Sequence, residues 1–493
     1  MSKYKISLFS LLLILISFSI SCRKETAYDT SFKTLGFSTD SVLFDTVFTT
    51  VGSATKRIRV YNTSKNWIKI NSIQLGRGQQ SNFRINVDGI SGVSHTDIEI
   101  APKDSLFIFI NVTVDPNNSN SPLVITDSII FNTNDNIQDV KLVAWGQDAY
   151  YHVPNNTIVL SPTQALRFSY AGCATPWKTD KPHVIYGYTV VDEDSTLTIP
   201  AGAKIHLHKN AVLWVYDGGT LKVNEFGTST DQKVVFQGDR LEYDYKDLAG
   251  QWGAIWLSKG SKNNVINQSI IKNGTIGIQV DTLGNSSNPT LTLKNTIIKN
   301  MSGAAILAQG SKIHAENCVF ANCGQYAVAL TIGGNYEFYH CTIGNYWNVN
   351  TRQTPSLVLN NYYKDIHNTS INRPLEKAYF GNCIIYGANA NEIGLDNSGE
   401  TAFNFKFENC LIAIDPKVNT SDANNYVNII KNENPGFADT DQKINNFKLN
   451  SGSPAIDKGD ISLGTNYPLD IEGASRTTDI APDLGAYEFT GSK

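Results

Sequence analysis

The sequence predicts an all-β chain in which a sandwich of short strands is followed by a solenoid of stacked coils. Three observations carry that expectation. Composition favours strands: Tyr and Phe each occur 22 times against two Met, and charged residues make up only 17%. Short Val, Ile and Leu runs are punctuated by Asn, Gly, Ser and Thr throughout. A length of 493 residues exceeds what one hydrophobic core organises, so more than one folding unit is expected. Finally, six segments share one pattern: an Asn-like residue, a small residue, two apolar residues and often a closing Asn. They begin at Gln268, Asn295, Asn317, His340, Asn382 and Asn409, and their small residues stand at 269, 296, 318, 341, 383 and 410. Intervals of 27, 22, 23, 42 and 27 give one coil each, with the longest holding an insertion.

Residues 1–21 read as an export signal. Lys3 and Lys5 precede an apolar stretch from Ile6 to Ile20, and Ser19 and Ser21 flank the approach to Cys22. The apolar run is shorter than the roughly 20 residues a spanning helix needs. This stretch resembles the lipobox of bacterial lipoproteins, with Ser19 where that family usually has Leu. The resemblance implies cleavage before Cys22, lipid on Cys22, a linker over 22–34 and a membrane as partner. The implied location is the outer membrane, on its periplasmic or cell-surface face; Lys24-Glu25 resembles the signals that carry some lipoproteins to the surface.

Residues 35–148 carry about seven alternating strands, among them Phe44–Val47, Lys56–Asn62, Ile68–Ile70, Phe83–Ile85, Ile100–Ser105, Phe107–Val112 and Val140–Gly146, a number and length that suit an immunoglobulin-like sandwich. The turn Pro102-Lys103-Asp104-Ser105 before a Phe- and Val-rich strand also resembles sandwich modules of bacterial surface proteins. Residues 149–183, irregular and holding Cys173 and Trp177, read as a connector.

The solenoid is expected over 184–430. Leu197–Ile205 and Leu213–Val223, with Pro200-Ala201-Gly202 and Gly218-Gly219 at their corners, resemble the entry coils of right-handed parallel β-helices. Gly250–Ile255 is similar to a recurring segment of bacterial β-helix lipoproteins. Strand alternation places Leu293, Ala315, Phe338, Phe380 and Phe407 inward before a corner. After it, Thr296, Cys318, Cys341, Cys383 and Cys410 point in, as do Ile298, Phe320, Ile343, Ile385 and Ile412. Asn273, Asn300, Asn322 and Asn345 are expected to bond amide to amide between coils. Six cysteines besides Cys22 are expected as free buried thiols, with disulfides or a metal site as alternatives. Residues 431–493 resemble the terminal segment of β-helix surface proteins and are read as a cap, with Asp457, Asp470, Arg476 and Asp483 in salt bridges and turns rather than in catalysis.

Function is less legible, because parallel β-helices serve as lyases, hydrolases, esterases and binders alike. Net charge of −4 offers no basic footprint, so nucleic acid is not an expected partner. Adjacent Asp-Asp with a nearby His-Gly is absent. The long interval, as an insertion over about 346–376, supplies the ligand-binding candidates Tyr346, Trp347, Arg352, Tyr362, Tyr363, Lys364, Asp365, His367 and Arg373. Aromatic rings stack on sugars while Arg, Lys and Asp bond hydroxyls or acidic groups. An exported glycan-binding or surface-interaction protein is therefore the expected function. The rivals are a polysaccharide lyase or hydrolase, with Lys364, His367 or Arg352 as the lyase's base, and a structural rod. No cofactor is expected. The loop Asp239–Asp247 holds four carboxylates that suit Ca²⁺ chemically but read better as solvated, and His206 with His208 share an outer face yet are too few to hold a metal.

Overall fold

The computed structural model describes residues 28–32, 34–48, 53, 55–114, 123–227, 231–242, 245–281, 287–478 and 480–491. The export signal and Cys22 lie outside the described residues. The chain divides into two compact units, Met1–Gln147 and Asp148–Lys493.

In the first unit two five-stranded sheets enclose one core. Alternation does the work. Ile58 and Val60, Ile108 and Ile110, Phe83 and Ile85, and Ile68 and Ile70 are all buried, each pair two residues apart on one face of a strand. One sheet is mixed, because Ser41–Phe48 runs parallel to Lys141–Gln147 while its other pairings are antiparallel. Besides the short Gly36–Phe37 and Ile90–Gly92, two longer strands lack a clear signal in the sequence, Ser94–Ile100 and Leu123–Thr133. The first is mostly polar. The second is interrupted by Asp127, whose carboxylate accepts from Ser81 Oγ at 2.5 Å and Arg77 N at 3.1 Å and so ties down a neighbouring turn. Conversely, Ala101–Asp104 is a turn with Lys103 at φ 61° rather than strand.

The second unit is an all-β solenoid with three strands per regular coil. Sheet A holds ten strands, parallel from Gln164–Tyr170 onward through Val212–Val215, Ala254–Leu257 and Leu357–Asn360 to Ile393–Asp396. The other two faces form a continuous 18-stranded ribbon. Sheet B includes Leu291–Lys294, Lys312–Glu316, Gly334–Tyr339 and Leu375–Gly381. Sheet C includes Ser269–Lys272, Ile297–Lys299, Val319–Ala321, Thr342–Asn345 and Ile384–Gly387. The segment expected as a connector contributes to this stack: Tyr150–His152 pairs in parallel with His183–Ile185, and Gln164–Tyr170 joins sheet A.

The six-residue pattern is the corner between sheets B and C. Gln268, Asn295, Asn317, His340, Asn382 and Asn409 all have φ between 44° and 54°, a left-handed conformation that Asn tolerates best among non-Gly residues. The small residue that follows points inward and donates to the carbonyl two positions back. Ser269 Oγ reaches Asn267 O at 2.8 Å, Thr296 Oγ1 reaches Lys294 O at 2.7 Å, and Cys318, Cys341, Cys383 and Cys410 make the same bond through sulfur at 3.1 to 3.4 Å. The site therefore selects a small side chain with a donor, which Ser, Thr and Cys share. The cysteines at 173, 318, 323, 341, 383 and 410 are free thiols. Beyond them, the inward rings of Phe338, Phe380 and Phe407 stack at centroid distances of 5.1 and 5.0 Å.

One expectation is corrected and another is made specific. Of the four corner amides expected to ladder, Asn300 does bond Asn273 at 2.7 Å. Asn322 instead donates to Asn445, and Asn345 accepts from Cys323 N. A second amide run links Asn267, Asn295 and Asn317 at 3.1 and 3.3 Å. The C-terminal segment covers apolar surface, as a cap must, but along the flank of the stack. Phe437, Phe447, Leu449, Ile471, Leu484 and Tyr487 pack on Val319, Ile384 and Leu411 of sheet C. This explains why the pattern carries two consecutive apolar residues: one faces the solenoid interior, and its neighbour faces this segment.

Arg476 joins the two. Its guanidinium is fully buried, donates to Glu488, and reaches Asn317 Oδ1 and Gly485 O at 3.1 Å each. Replacing one partner of a buried pair strands the other. Arg476→Met should lower the stability of the solenoid unit by about 3 kcal/mol, read from the shift of its urea-unfolding transition.

Candidate functional site

The structure disperses the nine insertion candidates. Tyr346 is half-buried against the rings of Phe437 and Phe447 at 6.2 Å each. Trp347 is buried and donates Nε1 to Asn350 Oδ1 at 2.8 Å. Arg352 is locked in a buried bidentate pair with Glu392 at 2.6 and 2.9 Å, and Ser356 fills Glu392's remaining valence. These three hold the coil together, and a guanidinium so engaged is not a base. The regular strand Leu357–Asn360 follows, so the extra length is split between the stretch that precedes this strand and, for the larger part, a hairpin of Tyr362–Lys364 and Ser370–Asn372 after it. Asp365 caps its tip by accepting from His367 N and Thr369 N at 2.9 Å each. Tyr363, Lys364 and His367 are exposed, while Tyr362 donates to Asp396 at 3.1 Å. Arg373, at the hairpin's foot, lines a groove.

The loop before Trp252 lies at a different corner. Lys246 O and Asp247 O accept from Asn273 and Asn300 at the junction of sheets C and A, whereas Gly333 and Gly334, beside the hairpin's foot, turn from A to B. The two segments do not line one groove. Of the four loop carboxylates, Asp239 pairs with His208 at 2.6 Å and Glu242 with Arg240 at 3.0 Å. Among the described residues no group of three metal-ligating side chains converges. His206 is buried beside it, hydrogen-bonded through Nδ1 to Gly238 O at 3.2 Å. In the C-terminal segment Asp470 and Asp483 accept backbone bonds, from Glu472 and Ala474 and from Asp457 and Phe489 respectively, which is the structural role expected for them.

What the structure does assemble is a groove of about 1320 Å³ along the corner between sheets A and B. It passes the corners at Glu193-Asp194, Asp217-Gly218, Lys259–Lys262, Ser287, Gly310–Lys312, Ile332–Asn335 and Arg373–Glu376. Gly218, Gly260, Gly310, Gly333 and Gly334 all have positive φ. A Cβ on Gly260 would sit 1.6 Å from Asp217 Oδ1, so the bare backbone there makes room for the carboxylate of the preceding coil. Lys262 pairs with Asp194 at 3.0 Å, two coils away, while the other walls present Ser and Asn together with charges of both signs, Glu193 and Glu376 against Lys259, Lys312 and Arg373.

One end of this groove has an aromatic flank. Tyr216, 43% exposed, directly precedes Asp217 and sits edge-on to Trp214 at 5.4 Å. Trp214 stacks on Trp256 at 4.8 Å, and Trp256 Nε1 donates to Asp281 at 2.7 Å. The buried Trp214 Nε1 has no hydrogen-bond partner among the described residues. In the sequence Leu213–Val223 reads as an entry coil with Gly218-Gly219 at its corner, and Trp214 and Tyr216 do not stand out as a site. The missed clue was period: Trp214 and Tyr216, two apart, share the outer face.

Residues 193–343 match the family model described as a right handed beta helix region, and the solenoid is that of right-handed parallel β-helix proteins. A search of curated proteins found no match. Solved structures align only weakly. The catalytic unit of a thermostable GH87 alpha-1,3-glucanase from Streptomyces thermodiastaticus strain HF3-3 aligns at 9% identity over 73% of this chain and 75% of that one, with TM-score 0.26. A family 123 glycoside hydrolase from Clostridium perfringens aligns at 6% identity over 24% of this chain and only 30% of that one, with TM-score 0.19. The periplasmic chaperone SfaE aligns at 11% identity over 23% of this chain and 58% of that one, with TM-score 0.16.

Burial drives the His206 imidazole down to about 4 from its ordinary 6.5. Between those values the unfolded chain takes up a proton that the native state refuses, so stability is lost as pH falls from about 6.5 to about 4. His206→Gln should remove roughly 3 kcal/mol of that acid sensitivity, measured as the difference between urea midpoints at neutral and acid pH.

Proposed function

We propose that this protein is an exported, lipid-anchored glycan-binding protein that holds an extended polysaccharide in the groove between sheets A and B. The observation that carries this reading is the groove's continuity across seven successive corners. Coils stack about 4.8 Å apart, a spacing near the length of one sugar ring, so each corner meets successive sugars of a linear chain. The carboxylate of Asp217 and the cations Lys259, Lys312 and Arg373 suit hydroxyl and acidic substituents, and Tyr216 offers an apolar face beside them. The anchor reading rests on the Lys3–Cys22 pattern.

Two measurements test it. Calorimetric titration of protein lacking residues 1–21 against neutral and acidic polysaccharides should give saturable binding, weakened about tenfold, or 1.4 kcal/mol, by the pair Tyr216→Ala and Asp217→Ala; silence across the panel defeats the reading. For the anchor, the full chain should enter the detergent phase on cloud-point partition and Cys22→Ala should leave it in the aqueous phase.

A further inference from the structure

On the outer face of sheet C, Lys272 and Lys299 stand directly opposite each other on adjacent coils. Their neighbours Ile271 and Ile298 are fully buried in the interior, so alternation turns both amines outward. Like charges in register destabilise a pair of strands unless something separates or neutralises them. Sheet B shows the usual solution, since its outward Lys294, Lys377 and Lys406 meet Glu316, Glu337 and Glu408 at ion-pair distance. Sheet C withholds it. Among the described residues neither Lys272 nor Lys299 forms an ion pair or a side-chain hydrogen bond, although both are only partly exposed.

The surroundings form walls around this pair. The column continues as Ala321 and Gly344, which present almost no side chain. Asn273 and Asn300, which follow the two lysines, hold the backbone of Lys246 and Asp247 at the adjoining corner, and Gln442 of the C-terminal segment bonds the same Asn300 through Oδ1. Among the described residues the charges acting on the pair are Asp247 on both lysines, Lys246 on Lys272, and Lys272 on Lys299. Burial lowers both lysine pKa values, and for Lys299 the charge of Lys272 lowers it further.

We propose that Lys272 and Lys299 form an oxyanion-binding site, taking a sulfate, phosphate or carboxylate group between adjacent coils of sheet C. This site is on a different face from the sheet A–B groove and stands or falls without it. An oxyanion placed there supplies the missing counter-charge and accepts from both ammonium groups.

Acylation of lysines by an amine-specific reagent, mapped by mass spectrometry on the whole protein, tests this. Lys272 and Lys299 should react ahead of exposed lysines at mildly alkaline pH, and inorganic sulfate, inorganic phosphate, a sulfated oligosaccharide or an oligouronate should protect them by about tenfold. Protection by the inorganic ions identifies a free anion as sufficient, and protection by the oligosaccharides alone identifies a glycan substituent; either outcome supports the site. The variant Lys272→Met with Lys299→Met should lose anion binding by calorimetry and melt no lower than the parent, since it removes an uncompensated repulsion. No protection by any of the four probes, or undiminished binding by the double variant, overturns the proposal. Should the variant unfold, the protection pattern of the unmodified sequence decides.

Discussion

The solenoid depends on one local interaction, repeated at six successive corners between sheets B and C from Gln268 to Asn409: a left-handed Asn-like residue followed by a small donor that bonds the carbonyl two residues back. A left-handed residue turns the chain sharply without a loop. At five of the six corners the carbonyl two residues back already accepts a backbone N–H from the preceding coil, as Glu316 O does from Asn295 N at 3.1 Å and Tyr339 O from Asn317 N at 3.0 Å. The hydroxyl of Thr296 and the four thiols add a second bond from inside, to the lone pair that the ladder leaves over. Because the donor must also be small, the ladder of thiols is explained by packing and hydrogen bonding together, with no redox chemistry required. The Phe stack beyond it then fills the widened interior of the later coils.

Tight corners have a second consequence, since they set which residues face out. The outward apolar residues Val319, Ile384 and Leu411 need cover, and the C-terminal segment supplies it by running back along sheet C. Arg476 fastens that segment by ending the amide run at Asn317 and pairing with Glu488. Flank and corner are therefore coupled: the same Asn that turns the chain also receives the segment that covers it. Where that cover stops, at the Lys272–Lys299 rung, the sheet changes from apolar to cationic.

The groove between sheets A and B arises from a different kind of corner. Here glycines with positive φ share the turning with Asp194, Asn263 and Ile332, and where glycine stands, neighbouring coils place Asp217, Lys262 and Lys312 around bare backbone. A corner built to turn with an Asn side chain bonded inward closes itself; one built on glycine stays open to solvent and to a ligand.

The repeat itself was fully legible in the sequence, because period-two alternation and the left-handed preference of Asn are local properties. Inward residues such as Phe338, Cys341 and Ile343 follow from these rules alone. So does the position of the extra length, although not its form: within the 42-residue interval, Trp347 and Arg352 look as suitable for a ligand as Tyr363 and His367. Only the fold separates them. Glu392, which engages Arg352, lies 40 residues further on, and no local pattern connects the two. The groove, the flank-covering segment and the unpaired lysines were likewise decided by tertiary structure, because each depends on which residues from different coils meet. The sequence by itself determined how each coil turns; stacking the coils determined what their outer surfaces bring together.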